Sequence, residues 1–353
     1  MNIICKTILA GIVAVMAAVA QPNVTVYATG LNNPRGLKFG PDGFLYVAEG
    51  GTGGSLSTQG QCTQVVPPIG PYTGGSDSRI SKIDSTGHRT TVVGGLPSDQ
   101  TSAQSGGLVS GVADVAFIDD TMYAILAGAG CSHGVANFPN SVLRVDPQAG
   151  TWSMVANLSA YQMANPVAHP NPPDFEPDGT WYSMIAVRGA LYAIEPNHGE
   201  MVQITPDGTI TRVVDYSAIY GHIVPTALAY HGNFYMGNLL TFPIVAGSSA
   251  IYKTTPSGST KVDTPGFTTI LGVTFDGRDR MYVAEMSPAN GNPTPFIGTV
   301  TRVDPSGART VLASGLAFPT GLTFGPDGAL YVSNFGFGFP AGAGQIMRVT
   351  LPD

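Results

Sequence analysis

The chain has 353 residues, of which glycine (46) and proline (28) make up about a fifth. Charged residues account for only 11%, the formal net charge is −7, and basic residues form no run. Disorder, which needs low hydrophobicity and high charge, is excluded, and so is a coiled coil. Without a basic patch, nucleic acid is not expected as a partner. The composition favours a large, turn-rich β structure.

The first 20 residues have the pattern of a secretory signal peptide. Lys6 precedes an apolar run over residues 7–19, and Ala18-Val19-Ala20 gives the small-x-small pattern of a cleavage site. The run is too short for a confident membrane span. We expect cleavage after Ala20, which leaves residues 21–353 as a single domain, secreted or periplasmic, with no membrane partner.

Internal repeats are the most informative feature. Residues 26–49 (VYATGLNNPRGLKFGPDGFLYVAE) and 311–334 (VLASGLAFPTGLTFGPDGALYVSN) align without a gap, and weaker copies lie between them. Each copy has an apolar strand, a tight turn, a second strand that opens on a large apolar residue and Tyr, and further strands separated by glycine turns. Six copies of a four-stranded antiparallel unit predict an all-β fold, a six-bladed β-propeller. A β-sandwich, the alternative, gives no reason for six copies in phase.

The two ends of the repeat array complement each other. The sixth copy has three strands, and a spare strand, Val24 to Thr29, precedes the first copy. This spare strand aligns with the fourth strand of the fifth copy. We therefore expect the N-terminal strand to complete the last blade and to close the ring, which also limits edge pairing between molecules and favours a monomer.

The repeat motif Gly-Leu-x-x-Pro-x-Gly-Leu-x-Phe-Gly-Pro-Asp-Gly-x-Leu-Tyr-Val resembles the ScyD/ScyE family of exported propellers. Pro225-Thr-Ala-Leu-Ala and Phe242-Pro in the fourth copy are similar as well. The resemblance covers nearly the whole chain after the signal segment. It implies an association with synthesis of a secondary metabolite, the pigment scytonemin, but no settled activity. A more distant likeness to NHL-repeat and gluconolactonase-type propellers is an analogy of fold.

The long connections all emerge on one face of the predicted propeller, which is the usual place for binding or catalysis. A ring of polar residues ends the second strands there, and we regard its members as candidate ligand-binding residues: Glu49, Glu195, Asn238, Glu285 and Asn334. Oxygen ligands of this kind suit Ca²⁺, the one cofactor that the pattern suggests. The alternative, which we favour for most of them, is that they cap strand ends and bond loop amides.

Gluconolactonase-like enzymes are expected to bind a metal beside the inner strands. Asp114 is the only carboxylate at those positions here, which counts against that chemistry. If a metal binds, its candidate ligands are Asp114 and three members of the strand-end ring, Glu49, Glu285 and Asn334.

Three further residues, Glu195, His198 and His222, are candidates for acid–base catalysis. Four histidines lie in loops of the long-loop face (His133, His169, His198 and His222), and exposed loop histidines are the alternative explanation. Residues 174–179 have the oxygen spacing of half a calcium loop, but an acidic, proline-rich loop explains them as well. Phe335, Phe337 and Phe339, with Phe242 and Phe296, are candidates for an apolar binding patch.

The cysteines predict one disulfide. Cys5 leaves with the signal peptide, and Cys62 and Cys131 lie in matching loops of neighbouring blades. In an exported protein such a pair is expected to form a bridge.

Three functions are consistent with these features. The first is a binding or scaffold propeller that holds a small molecule, glycan or protein on its long-loop face. The second is a metal-dependent hydrolase of lactonase or esterase type, and the third is an accessory protein in maturation or export of a secondary metabolite. The missing ligands at the inner strands favour the first, and the sequence leaves open whether any catalysis occurs.

Overall fold

The computed structural model describes residues 21, 23–170, 172–336 and 338–352. The predicted signal segment and Phe337 lie outside the described residues. The first strand in the chain is β1 (Val24–Leu31). Blade 1 contains β2 (Pro34–Phe39), β3 (Leu45–Glu49), β4 (Thr73–Ile83), β5 (Arg89–Gln100) and the short β6 (Val109–Ser110). Blade 2 contains β7 (Val112–Ile118), β8 (Thr121–Leu126), β9 (Ser141–Asp146) and β10 (Thr151–Asn157).

The remaining blades repeat this plan. Blade 3 contains β11 (Ser183–Val187), β12 (Ala190–Glu195), β13 (Glu200–Ile204) and β14 (Ile210–Asp215). Blade 4 contains β15 (Pro225–His231), β16 (Asn233–Asn238), β17 (Ser249–Thr254) and β18 (Thr260–Phe267). Blade 5 contains β19 (Ile270–Phe275), β20 (Met281–Glu285), β21 (Gly298–Val303) and β22 (Arg309–Leu316), and blade 6 contains β23 (Gly321–Phe324), β24 (Leu330–Asn334) and β25 (Gly344–Val349).

The molecule is a six-bladed β-propeller of antiparallel sheets, as the sequence predicts. Blades 2 to 5 are four-stranded, and blade 1 gains a fifth strand from β6. The sheet of blade 6 has the order β1-β25-β24-β23. Its outermost strand, β1, pairs antiparallel with β25 from Val24 opposite Val349 to Leu31 opposite Gly344.

The hydrophobic core lies between neighbouring blades. Between blades 1 and 2, for example, Tyr46 and Ile80 pack with Met122 and Leu143 in one buried cluster. Because each second strand is covered on both faces, β3, β20 and β24 are buried at every residue instead of alternating. This explains why the repeats show continuous apolar runs.

The long connections contain more regular structure than predicted. Strand β4 begins at Thr73 and β5 continues to Gln100, so the two strands extend into the long connections on either side of them. Two short helices, α1 (Leu158–Ala164) and α2 (Tyr216–Tyr220), lead from fourth strands into the next blade. Neither of them, nor any other helix in the described ranges, has the length and apolar character to cross a membrane.

We call the face with the short turns between first and second strands the plain face. Three blades carry the same polar group there. In blade 1 the turn residue Asp42 accepts hydrogen bonds from the Tyr46 hydroxyl (2.8 Å) and Lys82 Nζ (2.7 Å). The equivalent groups are Asp276 with Tyr282 and Arg280 in blade 5, and Asp327 with Tyr331 and Arg348 in blade 6. Burial opposes ionisation of Asp42, but the bonds from Lys82 and Tyr46 outweigh it and lower its pKa.

Candidate functional site

The opposite face, which we call the mouth face, carries the long loops and a pocket of about 180 Å³ at the propeller axis. The starts of the inner strands form its floor, with Arg35, Thr226 and Leu271 from blades 1, 4 and 5. Loops that precede or follow the strands form its walls. We call this cavity the mouth pocket.

Four polar side chains from separate segments meet at one side of the mouth pocket. Tyr72, just before β4, donates a hydrogen bond to Glu176 Oε1 (2.9 Å). His133, in a single helical turn (Cys131–His133), bonds through Nδ1 to Asp99 Oδ2 on β5. Its Nε2 donates to the carbonyl of Gly179 (2.9 Å) and lies 3.6 Å from Glu176 Oε2. The four side chains are therefore linked in the order Tyr72, Glu176, His133 and Asp99, by a hydrogen bond at each end and by the 3.6 Å contact in the middle.

Burial and mutual charge determine the protonation of this chain. Burial raises the pKa of Glu176 to about 8, although the neighbouring His133 cation opposes the shift. Burial alone would lower the pKa of His133, but the charge and hydrogen bond of Asp99 outweigh it and raise this pKa to about 9. At neutral pH the site therefore holds a histidine cation paired with Asp99 and a largely protonated Glu176.

Three buried polar atoms that line the mouth pocket have no hydrogen-bond partner in the described part of the protein. They are Asp174 Oδ1, Glu176 Oε2 and His222 Nε2. His222 Nε2 and Asp174 Oδ1 are 3.5 Å apart, close enough for electrostatic attraction but without hydrogen-bond geometry. The Glu176 side chain is only 7% exposed. Because a buried polar atom without a partner costs roughly 1–3 kcal/mol, three in one pocket are unusual.

The other side of the mouth pocket is apolar. Leu108, Val224, Leu239, Phe242 and Leu271 contribute to this wall. Leu108, Leu239 and Leu271 also belong to one hydrophobic cluster with Phe318 of blade 6. The pocket therefore has a polar wall, mainly from blades 1 to 3, and an apolar wall, mainly from blades 4 and 5.

A disulfide joins Cys62 to Cys131, as predicted from the sequence. It fixes the long loop of blade 1 to the turn that carries His133. Further bonds act with it: Thr58 Oγ1 donates to the carbonyl of Cys131, and the amide of Ser132 donates to Asp178 Oδ2 (2.8 Å). The bridge thus holds together the segments that place Tyr72 at the mouth pocket and His133 directly behind its wall.

The predicted ring of polar strand-end residues is spread over five blades, and each member bonds its own blade. Each bonds the loop that leads into the first strand of its blade. Four of them accept a backbone amide there: Glu49 from Asn32, Glu195 from Thr180, Glu285 from Thr268 and Asn334 from Ala317. Asn238 donates to the carbonyl of Ile223. This is the strand-capping arrangement that the sequence analysis gives as the alternative to ligand binding.

The three candidate acid–base residues do not form one group. Glu195 accepts the backbone amide of His198. The ring of His198 in turn bonds the carbonyl of Glu176 (2.9 Å) and Gln162 (2.6 Å). Only His222 lines the mouth pocket. Glu195 and His198 lie behind the wall and position the Glu176 segment.

The alternative explanation in the sequence analysis, that the loop histidines are exposed, is wrong for two residues. His133 is completely buried, and His198 is 4% exposed. Both are fixed by hydrogen bonds to carbonyls of residues 176–179. That segment is also more than a solvated acidic loop, because Glu176 and Asp178 are buried.

Asp114 lies below the mouth pocket, in a channel of about 240 Å³ between the inner strands. Its carboxylate accepts the amides of Val115 (2.8 Å) and Met184 (2.9 Å) and the hydroxyl of Ser183. Burial raises its pKa to about 6. A Cβ on Gly36 would lie 1.9 Å from Asp114 Oδ1, so the neighbouring strand can pass only because residue 36 is glycine.

The donor set does not fit a metal of the kind expected for gluconolactonase-like enzymes. Asp114, Glu49, Glu285 and Asn334 lie in different blades and already accept protein hydrogen bonds. Across the described ranges, no three His, Cys, Asp or Glu side chains are grouped to hold a metal ion. We therefore derive no chemical step through a metal.

Sequence reasoning missed Tyr72, Asp99 and His133 as members of the site. Asp99 and Tyr72 have no repeat equivalent, and they meet Glu176 only through folding of separate loops. One signal was available: carboxylates in long loops are rare in a chain with 11% charged residues, and Asp99, Asp174 and Glu176 are three of them.

No family model matches the sequence, and no curated protein matches it either. Solved structures share the fold. A structure named glucose dehydrogenase has a TM-score of 0.58 at 14% identity, covering 94% of this chain and 100% of its own. A gluconolactonase from Xanthomonas campestris has a TM-score of 0.54 at 11% identity, covering 93% and 89%. A protein of unknown function from Bacteroides thetaiotaomicron has a TM-score of 0.59 at 12% identity, covering 93% and 75%. At such identities the likeness shows the NHL- and gluconolactonase-like six-bladed propeller fold alone.

Proposed function

We propose that this protein is an exported binding propeller of the ScyD/ScyE type that holds a small molecule in the mouth pocket. One observation carries the proposal: Asp174, Glu176 and His222 line one cavity, and their atoms Oδ1, Oε2 and Nε2 are buried without a hydrogen-bond partner in the described protein. A ligand that pairs with them recovers the hydrogen bonds that folding leaves unmade. The repeat motif and the signal-like segment support the exported, ScyD/ScyE-type part of the proposal.

The fixed surroundings of these atoms suit binding. Glu176 is held by the Tyr72 hydroxyl and by His198 on its own carbonyl, and the disulfide anchors the His133 turn. A site whose polar groups are held in place before the ligand arrives loses little conformational entropy on binding.

The test is a thermal-shift and saturation-transfer NMR screen of sugars, lactones, hydroxy acids and aromatic alcohols. We expect compounds that raise the Tm of the wild type but not of Glu176→Gln. Glu285→Gln is the matched control, because Glu285 is also a buried mouth-face carboxylate but does not line the pocket. A screen without hits, or hits that bind Glu176→Gln as well as the wild type, would refute the proposal.

A second function, hydrolysis of a lactone, is favoured by one observation: a buried carboxyl with a pKa of about 8 faces the pocket. In its ionised form Glu176 would take a proton from water as the water oxygen adds to the lactone carbonyl. The same proton would pass to the ring oxygen as the ring C–O bond breaks, which yields the hydroxy acid. Acid release from γ- and δ-lactones that is lost in Glu176→Gln and kept in Glu285→Gln would establish this activity, and no release above the buffer rate would exclude it.

A further inference from the structure

The mouth pocket has a size that limits its occupant. Its volume is about 180 Å³, and cavities of roughly 150 Å³ hold a benzene molecule. The pocket therefore accommodates a single six-membered ring with small substituents, and any larger ligand must extend out of it. The inference that follows rests on the function proposed above and specifies the ligand.

The polar wall indicates the chemistry of the part that enters. Two of the unpartnered atoms are carboxyl oxygens, and the third is an imidazole nitrogen. A hydroxyl group both donates and accepts, so it pairs with each of them in either protonation state.

The charge of the wall favours an uncharged group over a cationic one. Of the carboxylates that line the pocket, Asp99 is paired with the His133 cation behind it, and Asp174 shares the lining with the Arg35 guanidinium. Asp178 and Glu195 lie behind the wall, where they accept backbone amides. The lining therefore has no excess negative charge when Glu176 carries its proton. Since the pKa of Glu176 is raised to about 8 by burial, that balance holds at neutral pH. A cation would enter a pocket without excess negative charge and would lose its hydration for little gain.

An apolar surface leads out of the pocket over blades 5 and 6. From the cluster with Leu271 and Leu239, Phe318 contacts Phe339, with ring centroids 5.7 Å apart. Phe339 contacts Phe335 (4.8 Å), which contacts Phe296 (5.9 Å). Phe296 is 58% exposed. We call Phe296, Phe318, Phe335 and Phe339 the phenylalanine track.

The backbone of the track is unusual. Phe296 and Phe335 have φ values of 65° and 59°, in the left-handed region that bulky residues rarely adopt. Phe318 is left-handed as well, but Asn33, Val224 and Thr269 share its position before a first strand, so that conformation belongs to the repeat. Phe296 lies two residues before a third strand, where Gly247 and Gly342 are left-handed as well, so its conformation also belongs to the repeat. Phe335 has no such equivalent among the described residues, and strain of this kind concentrates at ligand sites.

We propose that the mouth pocket binds an uncharged amphiphile, with a hydroxyl-bearing ring against Asp174, Glu176 and His222 and an apolar tail along the phenylalanine track. The head pairs with the buried polar atoms, and the tail covers the half-buried rings of the track and the exposed ring of Phe296. Leu271, which lines the pocket, packs in one cluster with Phe318 of the track, and the proposed ligand follows that contact from the pocket to the track.

The test uses n-octyl β-D-glucoside and n-octyl β-D-galactoside below their micelle concentrations, measured by isothermal titration calorimetry. We expect at least one to bind, and at least about tenfold more tightly than its methyl glycoside, because the tail buries methylene groups. Octyltrimethylammonium and octanoate, which carry the same tail on a charged head, are expected to bind at least tenfold more weakly.

Two variants separate head from tail. Phe296→Ala is expected to weaken the octyl glycoside about tenfold while leaving the methyl glycoside unchanged. Val311→Ala is its control, because Val311 is 60% exposed on an outer strand far from the pocket. Circular dichroism melts of both variants show that each is folded.

The outcomes distinguish this inference from the function on which it rests. Glu176-dependent binding of a charged-head probe, with no octyl glycoside bound, would overturn the amphiphile but keep small-molecule binding. Equal affinity for methyl and octyl glycosides would remove the track from the site. No binding by any probe here or any compound of the wider screen would overturn both proposals.

Discussion

The two faces of the propeller use charged residues in opposite ways. On the plain face the same group, an aspartate with a tyrosine hydroxyl and a lysine or arginine, occurs in blades 1, 5 and 6. Its charged members are partly exposed and paired with one another, and its buried tyrosines donate their hydroxyl to the aspartate. On the mouth face Glu176 and His133 are buried and occur once. Glu176 Oε2 and two polar atoms near it have no hydrogen-bond partner in the described protein.

The comparison distinguishes residues that stabilise the fold from residues that belong to a candidate binding site. A repeated, hydrogen-bonded group stabilises blades 1, 5 and 6 in a similar way. A single buried group that is only partly satisfied costs stability and is expected where binding or catalysis occurs. The predictions below test that separation.

Removal of β1 should have the largest effect. Deleting Val24 to Thr29 removes every pair of β1 with β25 from Val24–Val349 to Thr29–Gln345, keeps only Leu31–Gly344, and leaves most of the β25 edge unpaired. We expect loss of cooperative unfolding and aggregation, since an exposed edge strand pairs with other chains. Light scattering and thermal melts are the measurements, and a deletion variant with wild-type solubility and Tm would contradict the role of β1 in blade 6.

Loss of the disulfide should come next. Cys62→Ser with Cys131→Ser opens a loop with a sequence separation of 69, which predicts a loss of about 4 kcal/mol in unfolding free energy. Because the bridge joins mouth-face loops and not blades, we expect an unchanged far-UV spectrum and a loss of ligand binding. Urea unfolding measures the loss, and reduced wild type is the control. Two reactive thiols from these cysteines in unreduced, unfolded protein would show that the bridge is absent.

The buried carboxyl should make stability depend on pH. The folded-state pKa of Glu176, about 8, lies above the ordinary value of about 4.3. The folded protein thus holds this proton more strongly, and stability falls as pH rises between those values. His133 acts in the same direction: its contribution is complete below about pH 6.5 and is lost as pH passes its folded-state pKa of about 9.

We therefore expect Glu176→Gln to be more stable than the wild type at pH 9, by a few kcal/mol at about 1.4 kcal/mol per pKa unit. The difference should shrink toward pH 5. Urea unfolding at pH 5, 7 and 9 measures it, with Asp120→Asn, an exposed plain-face carboxylate, as control. A pH-independent difference would mean that the carboxyl is not held protonated.

A plain-face group should show the smallest effect and the opposite pH dependence. Hydrogen bonds from Arg348 and Tyr331 overcome the effect of burial and lower the pKa of Asp327. Its contribution is therefore present above the unfolded pKa and lost as pH falls through the folded one. Asp327→Asn should cost about 1 kcal/mol at pH 7 and nothing at pH 2, and ligand binding should not change. An effect on binding would break the separation between the two faces.

The sequence predicts the fold well because the blades repeat one pattern of strand and turn residues. Turns such as Pro41-Asp42-Gly43 and strands such as Leu45–Glu49 give the phase of every blade, and the disulfide follows from compartment and loop placement. These features depend on local sequence or on a period, which are visible without coordinates.

The mouth pocket is less predictable because it depends on contacts between unrelated loops. The histidines and the acidic loop of residues 174–179 are noticed in the sequence, but exposure is assumed for them. Nothing local indicates that Tyr72 will reach Glu176, which is 104 residues away, or that Asp99 will pair with His133. The ring of strand-end residues can be recognised in the sequence because it recurs with the period of the blades, where its members cap strand ends.

The pairing of β1 with β25 has a consequence for how the chain is made. Strands separated by more than 300 residues share one sheet, so blade 6 cannot form until the last strand has left the ribosome. Blades 1 to 5 can assemble from contiguous sequence, but the sheet of blade 6 needs strands from both ends of the propeller. Long-range pairing of this kind makes the final step slow.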